Sequence, residues 1–198
     1  MRAGGPGVCS GEEVAAKVHS PPEPGVHVEL QGSTYLYALA TVSITFVGFS
    51  ALLIVFRQSM GGAVSRYDSY FTLSFIQAGF IVTAGALVPP LLALYGWSPE
   101  VVWRTSSVVT AVPIFWFVAT VPGRRRAATG RPVPVFVWTL LSVQALAGAV
   151  LVLVGTGILT GRDAAVYASA VTTMMVTSGI AYLLALGVIL PDLTGGRE

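Results

Sequence analysis

Charge is scarce in this sequence, and that scarcity alone sets it apart from soluble proteins. Asp, Glu, Lys and Arg make up 10% of the 198 residues, where soluble domains carry about 25%. Cys9 is the only cysteine, which excludes an intrachain disulfide and a thiolate metal cluster. His19, His27 and the lone lysine, Lys17, all precede the first apolar run. No Asp, Glu, His or Lys lies deep in any such run. The titratable group that a proton-coupled carrier or an intramembrane protease needs is therefore missing. H-E-x-x-H, a G-x-S-x-G with triad partners and a phosphate-binding loop are also absent. The sequence thus points away from an enzyme, with no catalytic residue, cofactor or metal ligand expected. A net charge of +2 gives no basic surface for nucleic acid.

What remains is apolar length. Hydrophobic residues make up 54% of the chain, and several runs exceed the ~20 residues that cross a ~30 Å hydrocarbon layer. The runs are continuous rather than short and alternating, which predicts helices and not membrane strands. The expected fold is all-α, a polytopic bundle of five transmembrane helices. Its spans fall at about 35–56, 69–95, 101–121, 135–159 and 164–190, within a membrane domain of residues 33–191. Asp68 is placed as the N-cap of the second helix, and Ser98-Pro99-Glu100 opens the third. Pro89-Pro90 is expected to break the hydrogen-bond ladder of the second. Pro113 is tolerable inside the third only if neighbouring groups satisfy the carbonyl it frees. Residues 1–32 hold Pro21, Pro22, Pro24 and an excess of Glu, with no apolar signal region. They read as a disordered polar tail, and residues 192–198 as a short second tail.

Orientation rests on the basic stretch 123–132, read as a loop. Arg124, Arg125, Arg126 and Arg131 resist translocation and hold that loop in the cytoplasm. Five spans then put the N-terminus outside and the C-terminus inside. Arg57, Arg66 and Arg197 fall on the same inner side, and only Arg104 and Arg162 lie near the membrane outside. Tyr35, Tyr37, Tyr95, Trp97, Trp103 and Tyr167 would form an outer aromatic belt, with Tyr67, Tyr70 and Trp138 at the inner interface. Arginine in place of lysine, with abundant Ala, Gly and Val, suggests a GC-rich bacterial genome and an inner (cytoplasmic) membrane.

Few polar side chains are left to carry a function. Gln77 and Gln144 sit at similar depth, about 12–14 Å beyond the cytoplasmic ends of the second and fourth helices. They are expected to meet there, as packing glue or as the lining of a polar path for a small solute. Arg104 is the one basic residue within a span. It can snorkel outward and pair with Glu100 one turn earlier, or else face Ser107 and Ala111 as an anion contact. Ala38, Thr41, Thr45 and Gly48 form a side of small residues suited to packing on a neighbouring helix. Hydroxyls such as those of Thr172, Thr173, Thr177 and Ser178 are expected to bond back to the preceding turn, and Met174-Met175 to pack in the core. The basic stretch could also attract anionic lipid headgroups. Val102-Trp103-Arg104-Thr105 is echoed by Val166-Tyr167-Ala168-Ser169, which suggests two duplicated hairpins.

Ala40-Thr41-Val42-Ser43, followed by Phe46-Val47-Gly48-Phe49, resembles the first helix of small uncharacterised bacterial multi-pass membrane proteins. The resemblance implies a bacterial membrane protein and no particular activity. Two functions are expected on these grounds. One is a non-catalytic helical-bundle subunit that self-associates, through the Thr41–Gly48 side, or serves a larger membrane complex. The other is a small-solute channel or permease built around Gln77 and Gln144. In either case the lipid bilayer is the first partner, and a second copy or a membrane-complex partner the next.

Overall fold

The structure, a computed structural model, describes residues 30, 32–59, 66–130, 132–159 and 161–189. The tails expected at 1–32 and 192–198 lie outside these residues almost entirely, as do Arg131 and Arg197. Five helices succeed one another: α1 (Ser33–Ser59), α2 (Arg66–Ala93), α3 (Pro99–Thr129), α4 (Val135–Gly155) and α5 (Asp163–Ile189). All five contain stretches long and apolar enough to cross a membrane, and no strand occurs among the described residues.

The helix ends correct several expectations. α2 begins at Arg66, so Asp68 lies inside it and is not its N-cap. The basic stretch is not a loop, because α3 continues through Arg124, Arg125 and Arg126 to Thr129. It stops at Gly130, whose φ of 64° is the left-handed cap conformation; its N–H is 2.8 Å from the carbonyl of Arg126. Three arginines in the closing turns also suit the negative end of the helix dipole. α4 is shorter than expected, turning at Thr156 and Gly157. As expected, α2 continues past Pro89 and Pro90, to Ala93.

α2, α3, α4 and α5 close a ring in chain order, with α5 returning to α2, and α1 packs on the outside of α2. α3 and α5 approach across the ring, whereas no Cα of α2 lies within 8 Å of one of α4 among the described residues. α1 turns Leu36, Leu39, Ala40, Ser43, Val47 and Ser50 inward. The Ser43 hydroxyl donates to the carbonyl of Gly79 at 3.0 Å, and Val47 fills the space where Gly79 has no side chain. Thr41, Thr45 and Gly48 are on the opposite, exposed side. Their hydroxyls bond back to Tyr37 and Thr41, and a side chain at Gly48 would meet nothing within 4 Å. Among the described residues, the small-residue side therefore packs on no other helix. The inward row has a groove to fill.

The expected outer belt is also corrected. Tyr167 is 0% exposed and Trp103 5%, with ring centroids 5.5 Å apart. The reason lies in α2. Pro89 has no N–H to offer the carbonyl of Gly85 four residues earlier, and in an apolar layer that carbonyl must find another donor. Tyr167 of α5 supplies it, its hydroxyl donating to Gly85 O at 2.6 Å. With that proton committed, Thr110 of α3 donates to the phenol oxygen at 2.8 Å. Gly85 leaves room for Thr110, whose methyl would be 2.9 Å from a Cβ there. Tyr35, Tyr37, Tyr95 and Trp97 do remain exposed. Tyr35 reaches Thr172 at 2.7 Å, and since Thr172 donates to Ala168 O, the phenol is the donor.

Gly79→Ala is expected to destabilise the protein by about 1–3 kcal/mol, the range for overpacking. Val47 is β-branched and confined to one helical rotamer, so it cannot swing aside. Val47→Ala in the same chain should restore most of the loss. Denaturant titration of the detergent-solubilised variants reads both.

Candidate functional site

A cavity of about 690 Å³ opens between the four ring helices at the end that carries the basic residues. It lies within the ~300–1,000 Å³ usual for ligand sites. Its walls are α2 from Tyr70 to Ala78, α3 from Phe117 to Thr129, α4 from Phe136 to Gln144 and α5 from Thr177 to Leu184, with Pro132 and Pro134 beside them. Most of the lining is apolar and aromatic. Phe71 and Phe75 lie against Tyr182 of α5, with centroids 6.0 and 4.4 Å apart, which fixes the α2–α5 wall. The missing contact between α2 and α4 leaves the space, since side chains from neither helix fill it.

Gln144 is the polar group on the deep wall. It is 4% exposed, and its amide nitrogen donates to Thr177 at 3.1 Å and Ser178 at 3.3 Å. The direction of the amide is set by Thr177. That hydroxyl donates to the carbonyls of Thr173 and Met174, so only its lone pairs are free and it must face N–H, not oxygen. The Gln144 carboxamide oxygen is left buried without a partner. Ser74, on α2, is 9% exposed, lines the same cavity and also has an unpartnered hydroxyl. Ser106 and Ser107 are buried without partners too, but neither lines this cavity. At the basic end, half-buried Arg125 lines the cavity, and its Nε has no partner.

The structure does not bring Gln77 and Gln144 together. Gln77 is half-buried outside the cavity, its oxygen accepting from Arg124, whose other terminal nitrogen donates to Thr120 at 2.7 Å. Arg124 is thus turned into the bundle and bridges α3 to α2, beyond any part in orientation. The polar level expected of one glutamine pair is two separate contacts, α2–α3 and α4–α5. Arg104 pairs with Glu100 one turn earlier. Its guanidinium also lies against Gly157 at the end of α4, where a Cβ would be 2.9 Å from Arg104 Cζ. A cation belongs at that helix C-terminus. Ser107 and Ala111 are packed in the core, and Arg104 is turned to Glu100 and Gly157.

Sequence reasoning does not reach Arg125, Ser74 and the aromatic wall as parts of one site. In the sequence Arg125 reads as an orientation signal and, with its neighbours, as an attraction for anionic lipid headgroups, and nothing along the chain shows that α2 and α4 stand apart. Thr172, Thr173 and Thr177 do bond to the preceding turn; Ser178 accepts from Gln144.

Beyond the cavity the ring is solid. Val82, Ala86, Ile114, Leu151, Val171 and Met174 are at most 2% exposed and, with Tyr167, fill the middle. A separate depression at the opposite end, about 750 Å³, is lined by Glu100, Trp103, Arg162 and Asp163 among others. No family model, curated protein or solved structure matches this chain.

A double-mutant cycle on Gln77→Leu and Arg124→Leu is expected to give a coupling between about 0.6 kcal/mol, the average measured for hydrogen bonds between membrane helices, and about 1.7 kcal/mol, the largest. Gln77→Leu paired with Gln144→Leu should be additive. Unfolding of the purified variants in mixed micelles measures both.

Proposed function

We propose that this chain is a non-catalytic membrane subunit whose ring of helices binds an amphiphilic molecule. In this reading it spans a bacterial inner membrane five times, with the N-terminus outside and the basic end in the cytoplasm. The arginine bias supports that orientation, and the resemblance of Ala40–Phe49 to small bacterial membrane proteins is in keeping with it. The observation that carries the reading is the cavity at the basic end, apolar along its walls and supplied with an unsatisfied carboxamide oxygen at Gln144. A bundle that only had to hold itself together would gain by filling that space, because a void forfeits packing and an unpaired buried acceptor costs about 1–3 kcal/mol.

The alternative, a channel or permease, fits less well. The packed layer around Tyr167 separates the cavity from the opposite end, and Gln77 is engaged by Arg124 outside it. The exposed Thr41–Gly48 side remains a surface on which a second copy or a complex partner could pack, but the cavity lies within one chain.

Reconstituted into liposomes, the protein is expected to leave glycerol and urea permeability at the protein-free rate, read by stopped-flow light scattering. Faster swelling with wild-type protein that is lost on Ala78→Trp, which obstructs the cavity, would transfer the assignment to a permease.

A further inference from the structure

The two polar anchors of the cavity specify what enters it. We infer that the ligand is an amphiphile with an anionic headgroup at Arg125 and a hydrogen-bond donor, a hydroxyl or amide N–H, partway along its apolar chain at Gln144. This rests on the proposed binding function and names its ligand class.

The headgroup is specified by Arg125. Its guanidinium is half-buried at the basic end of the cavity, with Nε out of solvent and unpartnered. A guanidinium always carries its charge and presents a planar fork of donors that fits a carboxylate or phosphate. Its neighbour Arg124 is committed to Gln77 and Thr120, and Arg126 is exposed on the helix surface. Of these three consecutive arginines, only Arg125 lines the cavity.

The chain is specified by the wall. Between Arg125 and Gln144 the surface is mostly Phe71, Phe75, Phe117, Val121 and Leu141, with Ser74 among them, and these apolar side chains gain by burying hydrocarbon. A small hydrophilic anion would lose its hydration there without replacement.

The donor is specified by Gln144. Because Thr177 fixes the amide nitrogen toward α5, the free group is an oxygen, and an oxygen can only accept. A plain hydrocarbon chain would leave it buried and unpaired; a chain carrying O–H or N–H satisfies it. Ser74, across the cavity on α2, offers a hydroxyl that can accept from or donate to the same group. Arg125 lies about one turn short of the end of α3 and Gln144 about two and a half turns into α4. Roughly 8 Å of bundle axis therefore separates their levels, which places the donor in mid-chain rather than beside the headgroup. A two-chain phospholipid, polar only at its head, meets the first anchor and not the second.

The test uses the full chain in nanodiscs of phosphatidylcholine, with a diazirine-bearing fatty acid that carries a mid-chain hydroxyl as photolabel. Adducts are mapped by peptide mass spectrometry. Three unlabelled competitors are compared: the hydroxylated acid, its methyl ester and the acid without the hydroxyl. The expected result is labelling on cavity residues of α2 and α4, with the hydroxylated acid competing at least tenfold better than either of the others. Arg125→Gln should abolish the preference for acid over ester and keep the preference for hydroxyl. Gln144→Leu should do the reverse. These crossed losses of selectivity are not produced by general unfolding. Equal competition by all three in the wild type would overturn the assignment of ligand class and leave the binding reading standing. Equal competition by phosphatidylglycerol would likewise show that the Gln144 donor is dispensable. If no probe labels the cavity, the class and the binding reading fall together.

Discussion

One carbonyl group organises this bundle. Pro89 removes the N–H that would have satisfied Gly85, and in an apolar layer there is no water to replace it. The phenol of Tyr167 takes that carbonyl and Thr110 completes the set, so that α2, α3 and α5 are tied at one level. In an aqueous protein such a bond is one among many. In the membrane setting proposed above it would join helices that gain little from apolar association with one another, because lipid is as apolar as their side chains.

The tie has two consequences along the bundle axis. Around Tyr167 the ring is packed solid, with Leu151, Val171 and Met174 almost wholly buried. α2 and α4 do not approach at any level among the described residues, and toward the basic end the space between the helices is left as the cavity. At the tie Tyr167, Thr110 and the Gly85 carbonyl satisfy one another. Gln144, Ser74 and Arg125 keep polar atoms unpaired along the cavity wall. A packed layer and an open cavity thus occupy successive levels of the same four helices.

The five helices are legible in the sequence because apolar length and charge scarcity act on each segment alone. Their ends are less so. Nothing in Arg124-Arg125-Arg126 distinguishes a cytoplasmic loop from a helix that runs on past the membrane, and the Gly130 cap that ends α3 sits among other turn-forming residues. Gln144 is recognisable as a buried polar group, but its partners Thr177 and Ser178 depend on which helices are adjacent, and local pattern does not carry that. Tyr167 is misread for an instructive reason. An aromatic residue near a span end reads as an interfacial anchor, yet Pro89 already implies a carbonyl in need of a donor. The signal is present in α2, some eighty residues from the side chain that answers it.

The dependence of the bundle on this tie is tested most directly by a double-mutant cycle between Pro89→Ala and Tyr167→Phe. Alanine at 89 restores a backbone N–H to the Gly85 carbonyl, so the phenol is no longer needed there. Unfolding of the purified protein in mixed micelles should show Tyr167→Phe costing about 1–3 kcal/mol in the wild-type background and distinctly less with Ala at position 89. Equal costs in the two backgrounds would mean that Tyr167 does not stand in for the missing donor, and that these helices meet as they do for some other reason.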